Sequence, residues 1–296
     1  MLYNFGSAIL RAIGDTKRPL YFLSAAGVVN VILNLIFVIG FHMDVAGVAT
    51  ATVLSQFVSA ALIVRCLIKD NGVCHLDLKK LAVKNDKLIG IIRIGLPAGM
   101  QGAIFSLSNV VIQSSINSFG SVAMAGNTAG ANIEGFIYMA MNSFYQTSIS
   151  FTSQNYGARK YERINRILYG CLIYVTIVGV VTGNLAYLLG NKLLRFYSPD
   201  AEVIQYGLRR MSIICTTYAL CGIMDTMVGS IRGLGYAVMP MIVSLLGACG
   251  LRMVWIFTIF STHRTLEVLY ISYPVSWTIT AAAHLACFII VRKKLK

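Results

Sequence analysis

The stretch Arg11-Ala-Ile-Gly14-Asp-Thr-Lys-Arg-Pro19 returns 221 residues later as Arg232-Gly-Leu-Gly235-Tyr-Ala-Val-Met-Pro240. Both copies have the form RxxGxxxxP, and the same offset, without a gap, aligns Ser55 with Ser276. Apolar stretches of matching length follow both copies, at 20–41 and 46–68 after the first and at 237–260 and 266–291 after the second. This agreement predicts two halves that repeat one helical plan. A chance match within a single nine-helix protein is the alternative.

The repeated motif suits a junction between two helices. Its glycine, Gly14 or Gly235, can adopt the positive φ that ends many helices. Its proline, Pro19 or Pro240, is compatible with the first turn of the helix that follows. Its arginine falls in the last turn of the preceding helix, where the helix dipole favours a cation. The motif therefore predicts architecture, and it gives no sign of a catalytic group.

Composition places the chain in a membrane, because 57% of its 296 residues are hydrophobic and only 12% are charged. Each long apolar stretch can cross a hydrocarbon core of about 30 Å as a helix. Residues 1–12 resemble the end of a further helix. The predicted fold class is an all-α polytopic membrane protein. The eight predicted spans are 20–41, 46–68, 89–118, 122–153, 166–190, 204–231, 237–260 and 266–291.

The net charge of +14 is segregated along the chain. If successive connections alternate sides, 19 of the 25 basic residues, including Lys296 in the tail, lie on one side. This is the pattern that orients basic loops toward the cytoplasm, and it predicts a cytoplasmic C-terminus rather than nucleic-acid binding. The remaining basic residues are Lys192, Arg195, Arg209, Arg210 and Arg264, assigned to the other side, and Arg252 inside a span.

The repeat also predicts how the chain is divided. Six predicted helices separate the two copies of the motif, so both copies face the same side, as in the parallel repeats of some transporters. The second half begins near Asp86, and its counterpart would begin about 135 residues before Met1. We therefore expect an incomplete first helical lobe at 1–68, a cytoplasmic linker at 69–88 and a complete six-helix lobe at 89–296.

Sequence motifs for catalysis, metals and disulfides are missing. The seven cysteines are scattered without a CxxC pair, and the four histidines are dispersed. A metal site needs such ligands close together, and a disulfide framework shows regular cysteine spacing. We predict no enzyme activity, no metal and no cofactor.

Several motifs, in their order and spacing, resemble the multidrug and toxic compound extrusion (MATE) transporters. The likeness covers the whole chain, beginning within what would be the fourth helix. It implies two six-helix lobes around a central cavity, in a monomer of the cell inner membrane. It also implies export of organic, often cationic, compounds driven by Na⁺ or H⁺. The motifs are Leu10–Lys17, Asn30-Val-Ile-Leu-Asn34, Gly47-Val-Ala-Thr-Ala-Thr52, Gly95-Leu-Pro97-Ala-Gly99, Gln154-Asn-Tyr-Gly157-Ala158-Arg159 and Ile231–Gly235.

The resemblance implies a cation site in the first lobe. Some members bind the ion with an Asn-x-x-x-Asp pair on the fifth helix, a threonine on the sixth and an aspartate on the first. The matching residues here are Asn30, Asn34 and Thr52, and the spacing of four places both amides on one helix face. Position 34 is asparagine rather than aspartate, so these three residues carry no formal charge.

The second half offers a comparison for that site. The residues at the repeat-related positions are Leu251, Trp255 and Tyr273, which do not form a matching polar set. This asymmetry favours a functional role for the first-half residues. The alternative is packing, because Asn and Thr often join neighbouring membrane helices through hydrogen bonds.

Other members carry an acidic pair in the second lobe, which is only partly matched here. Phe105 occupies the position of the expected glutamate, and Asp225 lies about one turn closer to Arg232 than the family pattern has it. Asp225 and Glu134 are still carboxylates within predicted spans, where charge is costly and therefore often functional. The alternatives are an Asp225–Arg232 pair and a Glu134 closer to the membrane surface.

Further candidates for a substrate cavity are Gln113, Asn142 and Tyr138, in a region rich in methionine and aromatic residues. Polarizable and aromatic side chains suit a cavity for varied cationic compounds, although helix packing explains them equally well. The closest rival function is a lipid-linked oligosaccharide flippase, which would need a strongly cationic cavity, whereas the basic residues here are predicted in loops. A non-transporting scaffold or remnant is a third possibility.

Overall fold

The computed structural model describes residues 1–294, all of whose regular elements are helical, in agreement with the predicted fold class. Lys296, part of the predicted basic tail, lies outside the described residues. The helices are α1 Leu2–Ala12, α2 Lys17–Gly40, α3 Asp44–Lys69, α4 Asn85–Asn117, α5 Ser121–Gly157, α6 Glu162–Leu188, α7 Gly190–Arg195, α8 Ala201–Ile214, α9 Tyr218–Gly233, α10 Val238–Phe260 and α11 Leu266–Lys293.

Six of these helices are long and apolar enough to cross a membrane: α2, α3, α4, α6, α10 and α11. The predicted span at 204–231 is two helices, α8 and α9, which meet at a bend of 49°. The predicted span at 122–153 lies in α5, a single helix of 37 residues that is not among the six. Polar side chains such as Asn127 and Glu134 are buried on its packed face. The chain is a multi-pass membrane protein.

The chain divides into two compact units, Met1–Lys84 and a second unit that begins at Asn85. In the first unit, Leu10 of α1 packs with Ile63 and Leu67 of α3. Cys74 and Leu76 pack against the same cluster, so part of the stretch predicted as a linker at 69–88 contacts the first unit. The predicted division into 1–68, 69–88 and 89–296 stays a prediction.

The two copies of the repeated motif have the same backbone structure within their own units. Gly14 has φ +91° and Gly235 has φ +88°, as the sequence predicts. The residue after each glycine donates its N–H five residues back, from Asp15 to Leu10 O at 3.0 Å and from Tyr236 to Ile231 O at 3.3 Å. Each proline is the third residue of the next helix. There its missing N–H costs no intrahelical hydrogen bond.

The repeat extends to an irregular feature of the following helix. In α2 the segment Leu35–Gly40 is π-helical. Of the two π-helical segments in α10, Leu245–Gly250 and Ile256–Phe260, the second lies at the same offset. Such widened turns are rare and frequently occur at functional sites. Asn34, one of the predicted cation ligands, immediately precedes the first of them.

The second unit is built around α5, which packs against α6, α8 and α9. Its core contains Met141 of α5, Ile214 of α8 and Trp277 of α11. Pro97 of the family motif lies inside α4, which begins at Asn85. Gly157 of the next motif is the last residue of α5, and the residue with positive φ after it is Arg159, at +56°.

Candidate functional site

A small polar cluster lies between α2 and α3 of the first unit. Asn34 Nδ2 donates to Asn30 Oδ1 at 3.0 Å, and Asn30 Nδ2 donates to Ser55 Oγ at 3.3 Å. Their spacing of four residues in the helix therefore does bring the two amides together. Ser55 is nearly fully buried, with 6% of its surface exposed, and Oγ in turn donates to Thr52 O at 2.9 Å.

The cluster retains a free acceptor. Asn34 Oδ1 is buried and accepts no hydrogen bond within residues 1–294. Such an oxygen is costly unless a donor or a cation satisfies it. Thr52 is exposed, and its Oγ1 donates to Val48 O at 2.8 Å in its own helix rather than to either asparagine. Asn30, Asn34 and Ser55 are thus connected by hydrogen bonds, and the Thr52 side chain is not part of this cluster. The role of all these residues in ion binding stays a prediction.

Glu134 is held in a buried ion pair in the second unit. Arg210 Nε donates to Glu134 Oε1 at 2.8 Å, and Nη2 donates to Oε2 at 2.6 Å. Both side chains are less than 9% exposed. Arg210, counted with Arg209 among the charges of the other side, is therefore not a surface charge, because it lies within α8 and faces the interior.

The ion pair continues into a hydrogen-bonded network. Asn127 Oδ1 accepts from Arg210 Nη1 at 2.7 Å and from the Tyr270 hydroxyl at 3.3 Å. Asn127 Nδ2 donates to Gln113 Oε1 at 3.1 Å. Gln113 and Glu134, both candidates for the substrate cavity, thus belong to this network, which satisfies the buried charges with protein partners.

The other predicted cavity residues line one cavity of about 540 Å³ in the second unit. Its size falls within the range of sites for drug-sized ligands, about 300–1,000 Å³. Tyr138 and Asn142 come from α5, and Asp225 comes from α9. Aromatic walls are formed by Tyr218, Tyr273 and Trp277, with edge contacts between Trp277 and each tyrosine at 5.5 and 5.7 Å between ring centroids.

Asp225 is half-buried in this cavity and has no hydrogen bond or ion pair among the described residues. The expected alternative, a pair with Arg232, is not formed. Arg232 instead donates to the Tyr145 hydroxyl at 2.5 Å and to Gln101 Oε1 at 2.7 Å. The Asp225 carboxylate is therefore available to a ligand or a proton.

Arg252 neither snorkels to the surface nor pairs with an acid in the part of the chain that the structure describes. It lies in α10 with 4% of its surface exposed, and its Nε donates to Ser276 Oγ at 2.9 Å. Its guanidinium carbon lies 4.2 Å from the centroid of the Tyr273 ring. Because Arg252 also lines the cavity, the cavity contains two arginines and one aspartate.

Two of these residues were missed by the sequence reasoning. Ser55 and Ser276 were aligned by the repeat but assigned no role, although each accepts a hydrogen bond from a polar side chain of the neighbouring helix. A signal was present in the sequence, because serine side chains in membrane helices often form hydrogen bonds to a neighbouring helix.

Comparisons with known proteins agree with this fold. Among curated proteins, the probable multidrug resistance protein YoeA of Bacillus subtilis (strain 168) is 24% identical, covering 94% of this chain and 62% of the relative. The probable multidrug resistance protein NorM of Thermotoga maritima is 26% identical, covering 81% of this chain and 52% of the relative. The chain thus spans between about half and two thirds of the length of these relatives.

Solved structures show the same fold. The Vibrio cholerae MATE transporter VcmN in the bent form has a TM-score of 0.87 at 20% identity, covering 99% of this chain and 66% of that one. A MOP superfamily transporter from Pyrococcus furiosus has a TM-score of 0.91 at 18% identity, with the same coverage. The MatE family model matches residues 97–258, more than half of the sequence. The chain therefore belongs to the MatE family of membrane transporters.

Proposed function

We propose that the chain acts in a secondary active efflux transporter that exports small organic compounds, cationic drugs or toxins among them, in exchange for Na⁺ or H⁺. Family membership and relatives named as multidrug resistance proteins support this activity. Since the chain spans 62% and 52% of those two relatives, the activity of a whole transporter is inferred from them rather than observed. The family consists of transporters rather than enzymes.

The observation that carries the proposal is Asp225 in the cavity of the second unit. A carboxylate inside a membrane domain is costly unless it is paired or protonated. The described residues supply Asp225 with no such partner, and aromatic rings surround the same space. The Asp225 carboxylate attracts a cationic group of the substrate. A proton that binds the same carboxylate would neutralise it and release the cationic substrate.

The polar cluster of the first unit is the proposed coupling site. Amide and hydroxyl oxygens are ligands that Na⁺ accepts, and Asn34 Oδ1 is an acceptor without a donor. With no formal charge among Asn30, Asn34 and Ser55, a full ion site needs a further carboxylate, as the family resemblance implies.

We also propose a monomer in the cell inner membrane with its C-terminus in the cytoplasm. The segregation of basic residues supports this orientation. The burial of Arg210 supports it further, because one basic residue fewer is exposed among those assigned to the other side. The flippase alternative is not favoured, since the curated relatives are named as multidrug resistance and export proteins.

Expression of the complete gene product in bacteria without their own drug exporters is expected to lower ethidium accumulation. Asp225→Asn should reduce the efflux rate about tenfold or more, because a charge-assisted contact with the cation is lost. The matched control is Asp86→Asn, which removes an exposed acid of the same unit. Equal efflux by wild type and Asp225→Asn, at equal membrane content, would contradict the role of Asp225.

Asn34→Leu is expected to uncouple efflux from the ion gradient while membrane insertion is preserved. Leucine removes both hydrogen-bonding atoms and leaves Asn30 Oδ1 without its donor. The measurement is ethidium efflux driven by an imposed Na⁺ or H⁺ gradient in vesicles. Val31→Leu, at an exposed neighbouring position, is the control. Normal gradient-driven efflux in Asn34→Leu would remove the coupling role from this cluster.

A further inference from the structure

The cavity of the second unit has an uneven set of charges. Asp225 supplies one negative charge, and Arg232 and Arg252 supply two positive charges. Arg232 already donates to Tyr145 and Gln101, two neutral acceptors. The cavity therefore contains one positive charge more than its own carboxylate can balance.

Neither arginine pairs with a carboxylate among the described residues, and Arg252 forms the fewer hydrogen bonds of the two. Within residues 1–294 no carboxylate oxygen lies within 4.0 Å of its guanidinium, and only its Nε forms a hydrogen bond, to Ser276. One face of the guanidinium is occupied by the Tyr273 ring. The two terminal nitrogens remain as donors at a residue that is 96% buried and lines the cavity.

This geometry suits a planar anion. A guanidinium presents parallel N–H donors that match the two oxygens of a carboxylate, and such charge-assisted bonds are the strong ones in proteins. Contact with Tyr273 and the bond to Ser276 fix the plane of the guanidinium in advance, so little freedom is lost on binding. The aromatic side chains of Tyr218 and Trp277, which line the same cavity, offer surfaces for a ring.

We propose that Arg252 forms a subsite for the carboxylate of an aromatic organic compound in this cavity. The inference rests on the proposed transport function and names a substrate class for it: aromatic compounds that carry a carboxylate. A compound with an additional amine would also engage Asp225.

The repeat supports the assignment to an anion. Ser55 of the first unit accepts a hydrogen bond from the neutral amide of Asn30, whereas the repeat-related Ser276 accepts from the guanidinium of Arg252. The serine at this repeat-related position thus contacts an uncharged amide, which has an oxygen ligand to offer, in the first unit. In the second unit it contacts a fixed cation. The first arrangement suits a bound cation, and the second suits a bound anion.

The test compares three ligands of one shape by calorimetric titration of the purified protein after delipidation. The probes are 2-naphthoate, the neutral 2-naphthamide and cationic 2-naphthylmethylammonium. We expect naphthoate to bind about tenfold or more tightly than the amide, as a charge-assisted pair requires. Arg252→Gln should abolish this preference, and Arg252→Lys should keep part of it. Arg264→Gln, which removes an exposed positive charge, should leave it unchanged.

Absence of the preference in the wild-type protein would overturn the proposal, as would its persistence in a folded Arg252→Gln variant. The three-probe comparison on wild type remains decisive if that variant does not fold. Added phosphatidylglycerol should not compete with naphthoate. Competition at stoichiometric amounts would assign Arg252 to a lipid headgroup instead. Ethidium efflux is measured separately, so missing efflux counts against the transport function, whereas efflux without a carboxylate preference counts against this inference alone.

Discussion

Glu134→Leu is expected to destabilise the second unit by about 3–5 kcal/mol, because the Arg210 guanidinium would stay buried without its counter-ion. The wild-type pair is bidentate and almost fully shielded from solvent. Of the remaining protein contacts, the hydrogen bond to Asn127 Oδ1 is neutral and cannot balance the charge. The measurement is thermal unfolding of the purified protein in detergent, followed by tryptophan fluorescence.

The control for this variant is the double substitution Glu134→Leu/Arg210→Met. It removes both charges and fills the space with apolar groups, so most of the lost stability should return. A double variant as unstable as Glu134→Leu would show that the loss comes from packing rather than from the unpaired charge. Full stability of Glu134→Leu alone would mean that Arg210 finds another counter-ion.

The features that the sequence predicted correctly depend on local backbone chemistry. A glycine that ends a helix and a proline in the next first turn act within a few residues, so Gly14 and Gly235 have nearly equal φ. The spacing of Asn30 and Asn34 was equally informative, because helix periodicity alone places their side chains on one face. In both cases the outcome required no knowledge of distant contacts.

The buried ion network required tertiary information. Glu134 and Arg210 are 76 residues apart, and their adjacent sequence gives no indication of pairing. Arg210 follows Arg209, whose guanidinium is exposed and contacts Glu267 at 3.4 Å, and the sequence does not distinguish the two arginines. Only the packing of α8 against α5 separates their roles. The sequence likewise gives no indication that Asp225 lacks an ion-pair partner among the described residues, because that also depends on tertiary packing.

The bend between α8 and α9 was also missed, because the stretch 204–231 is long enough for a single span and contains no proline. A local signal did exist in adjacent threonines. Thr216 Oγ1 donates to Ser212 O at 2.7 Å, and Thr217 Oγ1 donates to Ile213 O at 2.6 Å. Hydroxyl groups that bond back to the preceding turn often bend helices. This bend determines where α9 presents Tyr218 and Asp225 to the cavity.

Gly183→Ala is expected to disrupt the packing at that bend. Gly183 of α6 lies against the backbone of Cys215, and an added Cβ would overlap the Cys215 carbonyl oxygen. Because backbone cannot rotate away as a side chain does, we expect the overlap to lower the free energy of unfolding by about 1–3 kcal/mol or more. The readouts are the yield of folded protein by size-exclusion chromatography and its thermal unfolding.

Gly170→Ala is the matched control, because it makes the same change in the same helix at a position with no atom near the new Cβ. Alanine favours helix by up to about 1 kcal/mol over glycine, so this variant should be as stable as wild type or slightly more so. Equal stability of the two variants would show that α6 can move away from the bend. A specific loss in Gly183→Ala, accompanied by weaker ethidium efflux from the surviving folded protein, would link the bend to the position of Asp225 in the cavity.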